Sequence, residues 1–189
     1  MTNFTSNTYQ MKREILTFSN KISRQLSKPD RKFSADMTYG MLASNSCLLT
    51  DIVDQLHEPS KKVNSVERLT RHLNKGVSTK ALNSYLSLVK TMVPKNPVIH
   101  IDDSDVIKPD GYKFESLGIV RDGSKSTSKK SVYEKGYHVT EACAITDSNH
   151  PVSIFSRIHS SHEKNFTSAN TITFAAMERG AAMFKRATL

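Results

Sequence analysis

The sequence predicts a two-part fold of the α + α/β class: an all-helical domain over residues 1–93, then a mixed domain over 97–189 that opens β-β-β-α. Three observations predict it. Between Tyr9 and Met92 apolar residues recur at three- and four-residue spacing, with no alternating strand pattern. Pro94 and Pro97 then punctuate the chain. Beyond them come short, strand-length apolar runs separated by polar segments and turn residues.

Phe33 to Leu42 reads as helix and leads into Leu48, Leu49, Ile52, Val53 and Leu56, which share one helical face. A polar break follows, Glu58-Pro59-Ser60-Lys61-Lys62. Asn64 with Glu67 then forms a capping-box pattern at the start of a helix bearing Val66, Leu69 and Leu73 on one face. Its other face carries Arg68, Arg71, His72 and Lys75, and Gly76 is placed to end it. A further helix spans about Thr79 to Val89. In the second part, Val98-Ile99-His100-Ile101 reads as a buried strand that ends in Asp102-Asp103-Ser104-Asp105. Residues 108–135 read as a long polar connection with a short helix near Phe114–Val120. Tyr137–Ile145 and Val152–Ile158 form a hairpin around Asp147-Ser148-Asn149-His150-Pro151. Ser168 or Asn170 caps a last helix, with Phe174, Met177, Ala181 and Phe184 as its apolar face.

Composition bounds the function. The 189 residues carry a formal net charge of +9. Residues 1–96 hold 15 Lys/Arg against 7 Asp/Glu, whereas residues 97–189 hold 12 against 11, so the basic excess belongs to the helical half. Such a domain attracts nucleic acid through its phosphates; an ordinary basic surface is the alternative. No apolar stretch is long enough to span a membrane, and the first 30 residues lack a secretory h-region, so the expected location is the cytoplasm. Cys47 and Cys143 have no metal-ligand spacing and read as reduced core residues.

Two constellations carry candidate chemistry. Leu48–His57 and Asn64–Lys75 have the layout of a helix-turn-helix, although the turn is longer than usual. Arg68 and Arg71, three apart, face one side, and Arg suits bidentate contact with guanine. Read blandly, these are two amphipathic helices with solvated basic faces. The second constellation is Asp102, Asp103 and Asp105. Crowded carboxylates raise one another's pKa unless a cation offsets them, and carboxylate oxygens suit Mg²⁺ or Mn²⁺. Exposed turn residues, with Asp105 as a helix cap, are the alternative. His159 and His162 read as polar loop residues.

Strand, acidic segment, long connection, hairpin and helix is also the opening order of a ribonuclease-H-like fold. Ile101-Asp102-Asp103-Ser104-Asp105, Lys108-Pro109, Leu117-Gly118-Ile119-Val120-Arg121-Asp122-Gly123-Ser124 and Lys135-Gly136-Tyr137-His138-Val139 resemble the DDE (Asp-Asp-Glu) insertion-sequence transposases of the IS-four type. Ala35–Leu42 and Glu67–Leu73 resemble the helical DNA-binding region of the same enzymes. The resemblance extends over about residues 33–180. It implies binding to the terminal inverted repeats of a mobile element, then phosphodiester cleavage and strand transfer assisted by two Mg²⁺ or Mn²⁺ ions. It also implies a nucleoid-associated bacterial protein that forms a homodimer when complete. The first metal-binding carboxylate falls on Asp103 or Asp102. Asp103 shares strand parity with Ile99 and Ile101, whereas Asp102 gives an Asp-x-Ser pattern. Arg121 and Lys125 fall in a loop that contacts DNA by the same resemblance, with Lys129 and Lys130 either there or in a solvated loop.

The family's second Asp lies on a further strand after the helix, its Glu on a later helix, and neither has a match here. The chain is therefore expected to be a truncated form that does not cleave DNA alone. The alternative is a non-catalytic DNA-binding remnant that inhibits transposition. An unrelated helix-turn-helix regulator with a ligand-binding second half is a third reading.

Overall fold

The computed structural model describes residues 2–188, with side chains described from Tyr9 onward. The chain is α+β and divides into two compact units, Met1–Leu88 and Val89–Leu189. That division falls before the Pro94–Pro97 segment where the sequence suggests a boundary.

The first unit contains α1 (Thr2–Ser23), α2 (Lys28–Ser44), α3 (Leu49–Leu56), α4 (Lys62–Lys75) and α5 (Thr79–Val89). Ser27 caps α2, accepting a hydrogen bond from the Asp30 backbone N–H, and a proline opens the helix. Asn45 and His57, both in the left-handed region, end α2 and α3. The expected capping box at Asn64 does not form. Helix α4 begins earlier, at Lys62, with no side-chain cap, and the Glu58 carboxylate ties the Ser65 and Arg68 side chains to the preceding turn.

Ile52, Val53 and Leu69 form the buried centre of the unit, packed against Phe33, Met37, Leu49 and Val66. Leu73, expected on that face, is 43% exposed. Gly40 lets α2 and α3 approach closely, since a Cβ there would lie 2.4 Å from Ile52 Cγ2. Helix α1 joins α2 through small polar residues. Ser19 and Ser23 are fully buried, and the Ser19 and Ser34 hydroxyls are 3.2 Å apart. This apolar-poor contact explains why periodicity did not mark α1.

The second unit holds four strands and a helix: β1 (Ile99–Ile107), β2 (Gly118–Arg121), β3 (Tyr133–Ile145), β4 (Pro151–His159) and α6 (Ala169–Met183). Four strands replace the expected three. The helix anticipated near Phe114–Val120 gives way to β2, where Gly118 to Arg121 pair antiparallel with Gly136 to Tyr133. Alternation of buried Val120 with exposed Ile119 and Arg121 suits a strand better than a helix. Long β3 is central. It pairs antiparallel with β1 on one flank and with β4 and β2 on the other. Gly136 sits between β1 and β2, where a Cβ would lie 2.5 Å from the Val106 carbonyl oxygen.

Helix α6 packs on β1, β3 and β4, and Ser168 caps it by accepting from Thr171 N–H. Its buried positions are Ile172, Ala176 and Gly180, a four-residue spacing. The expected face of Phe174, Met177, Ala181 and Phe184 is thereby corrected: Phe174 is 60% exposed and Ala181 is exposed, while Phe184 is buried. Small side chains, which carry little weight in a hydrophobicity pattern, make the closest approach to the sheet. After α6 the chain returns beside β1. Thr188 bridges Val98 in parallel, with Ile99 N–H donating to the Thr188 carbonyl at 2.9 Å and Thr188 N–H to the Pro97 carbonyl at 3.0 Å.

Candidate functional site

Both candidate sites rest on these local arrangements. In the helical unit, Arg68, Arg71, His72 and Lys75 line one shallow depression of about 290 Å³, but they are not equivalent. Arg68 is clamped between two carboxylates, with Nη1 2.8 Å from Asp36 and Nη2 3.0 Å from Glu58. Lys32 bridges the same two acids, at 2.9 Å and 2.6 Å. The Ser65 hydroxyl donates to Glu58 at 2.6 Å. Hydrogen bonds from Lys32, Ser65 and Arg68 hold the Glu58 carboxyl at a pKa of about 2. This knot ties α2, the α3–α4 turn and α4 together.

His72 lies 3.5 Å from Asp30 and stacks on Phe33 with ring centroids 5.0 Å apart, and Lys75 reaches Asp30 at 3.3 Å. The Ser27 hydroxyl, followed by Lys75, holds the Asp30 carboxyl below its usual range. Arg71 is exposed, and among the described residues it makes no ion pair. Arg68 and Lys75 thus have their charge matched inside the unit, His72 is packed beside Asp30 and Phe33, and Arg71 presents an unmatched cation.

In the sheet unit the carboxylates lie within β1, not at its end as expected. The ladder to β3 runs unbroken from Ile99↔Ala144 to Ile107↔Gly136. An edge strand tolerates this placement because its acids stay exposed. Adjacent strand residues point to opposite faces, so Asp102 and Asp103 do not converge. Asp102 lies opposite Glu141 in the β1–β3 ladder, a like-charge neighbour on the face away from α6. Asp103 lies on the α6 face. It lines an open cavity of about 380 Å³ with Ile99, Ile101, Thr173 and Met177, a cavity that Asp102 also borders.

The Thr140 hydroxyl donates to Asp103 Oδ1 and lies 2.9 Å from His159 Nε2. Thr140 is fully buried and His159 is 1% exposed. His159 is therefore the inward-facing last residue of β4, correcting the expectation of a loop residue; His162, exposed beyond it, contacts the Leu117 carbonyl. Burial, then the neighbouring His138, pushes the His159 pKa down. Asp105, on the same face as Asp103, pairs with His138 at 2.7 Å. Sequence reasoning missed Thr140 and the inward His159. The one signal for Thr140 was its two-residue alignment with buried Ala142 and Ala144 in β3.

Arg121 is exposed at the end of β2. Lys125 is tied to Glu134 at 3.2 Å and Asp122 at 3.4 Å. The Asp122 carboxylate organises that loop by accepting the Ser124 and Lys125 backbone N–H groups at 3.0 Å and 3.2 Å. Neither cysteine is a core residue: Cys47 is exposed and Cys143 half-buried, because Leu48 and the outer sheet face beside them stay open. No described helix is long and apolar enough to cross a membrane. Among the described residues no group of three or more His, Cys, Asp or Glu is placed to hold a metal ion. On the α6 face of β1 the Asp105 carboxylate is engaged by His138, and the Asp103 carboxylate accepts from Thr140. Comparison with protein-family models, curated proteins and solved structures finds no match to this chain.

Proposed function

We propose that the chain is the DNA-binding and first-carboxylate portion of a DDE-type transposase with a ribonuclease-H-like catalytic domain. Asp103 is the observation that carries this reading. It is an acid on an edge strand, on the face covered by α6, next to the edge along which the backbone returns in parallel at Thr188. A second carboxylate on a strand continuing that pairing would come alongside Asp103, the convergence that phosphodiester cleavage with paired metal ions needs. The helical unit supplies duplex binding, with Arg71 at the groove and Lys75 at its margin. Arg68 acts by fixing α4, and Arg121, exposed at the end of β2, supplies a cation from the sheet unit. The test is element excision in cells by the transposase that contains this sequence. Asp103→Ala abolishes excision and Asp102→Ala lowers it far less; excision by the Asp103→Ala protein at the unsubstituted level contradicts the assignment.

A second reading, a DNA-binding inhibitor of transposition, is favoured by the absence of a three-ligand cluster among the described residues. Co-expression of the chain with an intact transposase then lowers excision, and the Arg71→Ala chain lowers it less.

A further inference from the structure

We infer that Thr140 and His159 are positioning residues for the Asp103 carboxylate, with His159 held as the neutral tautomer that carries its proton on Nε2. The inference rests on the reading of Asp103 as the functional carboxylate. A threonine hydroxyl has one proton and two lone pairs. Thr140 gives that proton to Asp103 Oδ1. Its contact with His159 Nε2, at 2.9 Å, must then run the other way, with the ring N–H as donor and the hydroxyl oxygen as acceptor.

A neutral ring with its proton on Nε2 leaves Nδ1 as a bare lone pair. Nδ1 is the buried side-chain nitrogen that has no hydrogen-bond partner among the described residues. The two facts agree. A proton on Nδ1, in the other tautomer or in the cation, would be a buried N–H donor without an acceptor, and leaving such a group unpaired is costly.

The surroundings fix the ring plane as well as its proton. His159 stacks between His138, centroid 5.6 Å away, and Phe166, 5.9 Å away and tilted by 12°. The charged and titratable groups around it are Asp103 and Asp105 on β1, His138 on β3, Arg157 on β4 and Glu163 in the following loop. A rigid ring donating to a buried hydroxyl leaves that hydroxyl one direction in which to donate. Asp103 Oδ1 therefore has a fixed inward partner. The relay orients the carboxylate before any ligand arrives.

The test uses the whole chain in solution. Two-bond ¹H–¹⁵N correlation of the His159 ring reads the tautomer without any substitution: a pyrrole-type Nε2 and a pyridine-type Nδ1 at neutral pH are expected, and the reverse overturns the proposal. Three-bond couplings of Asp103 report its χ1. One rotamer is expected in the unsubstituted chain, averaging in Thr140→Val, and a return to one rotamer in Thr140→Ser. His159→Gln, whose amide can donate to Thr140, keeps one rotamer, while His159→Phe loses it. An unaltered Asp103 rotamer in Thr140→Val overturns the positioning role even where Asp103→Ala abolishes excision. A rotamer that responds as expected while Asp103→Ala leaves excision intact upholds the positioning and overturns only the catalytic reading. Should Thr140→Val fail to fold, the tautomer and the Thr140→Ser and His159→Gln couplings still decide.

Discussion

The two units of the chain solve the problem of polar residues in opposite ways. The helical unit has few fully buried apolar side chains and places charges between its helices. Lys32 and Arg68 interlock with Asp36 and Glu58, and His72 and Lys75 close on Asp30. The sheet unit leaves Asp102, Asp103 and Asp105 exposed on its edge strand and buries two neutral groups, Thr140 and His159, behind Asp103. The contrast teaches that a basic residue on a helix surface is weak evidence for a ligand until its carboxylate partners are known. Arg68 and Arg71 are indistinguishable by spacing, yet one is bound by two acids and the other is exposed.

The comparison can be broken most forcefully at the two centres. Leu69→Ala removes a fully buried side chain from the small helical core and is expected to cost about 2–5 kcal/mol. Hydrogen exchange would show the amides of α3 and α4 losing protection first. In the sheet unit, Gly136→Val forces a side chain against Val106 and Val120, at a cost of about 1–3 kcal/mol by overpacking. The loss would be read at the amides of β3 by the same method.

Arg68→Ala leaves Asp36 and Glu58 with Lys32 as their remaining shared partner. A fully buried pair so broken costs about 3–5 kcal/mol; because Arg68 is 25% exposed, about 2 kcal/mol is expected in urea unfolding. Arg71→Ala touches no such network and should stay within about 0.5 kcal/mol of the unsubstituted chain.

The smallest effects come with pH and distinguish the units by where they begin. His159 has its pKa depressed on folding, so the unfolded chain binds the extra proton. Its contribution is complete near neutrality and declines as pH falls below the ordinary histidine value of 6.5. Glu58 is depressed from 4.5 to about 2, so the helical unit keeps that contribution above pH 4.5 and loses it as pH falls toward 2. Acid titration followed by residue-resolved NMR should show the β3–β4 region weakening before the α2–α4 knot. His159→Gln should abolish the earlier phase alone.

Much of the architecture was legible because it rests on local rules. The hairpin turn with Asn149 in the left-handed region and the Ser168 cap both act over a few residues. The features that escaped depend on distant partners. Helix α4 starts at Lys62 without the Asn64 capping box, and Glu58 holds Arg68 from ten residues away through contacts no local pattern encodes. The buried face of α6 is set by Ala176 and Gly180, whose small size matters only against a sheet. At the candidate site, strand parity separates Asp102 from Asp103, but the choice of face needs the register that places Asp103 beside Thr140. His159 was invisible as an inward residue because β4 runs one residue beyond its expected end at Ile158.

The most direct test of the functional account is the fluorescence anisotropy of a short labelled DNA duplex titrated with the chain and with Arg71→Ala over a series of salt concentrations. The account predicts binding that weakens as salt rises, with Arg71→Ala binding more weakly and with a slope of log K against log salt shallower by about one phosphate contact. Absence of binding at low salt, or an Arg71→Ala chain with the same affinity and slope as the original, would contradict it.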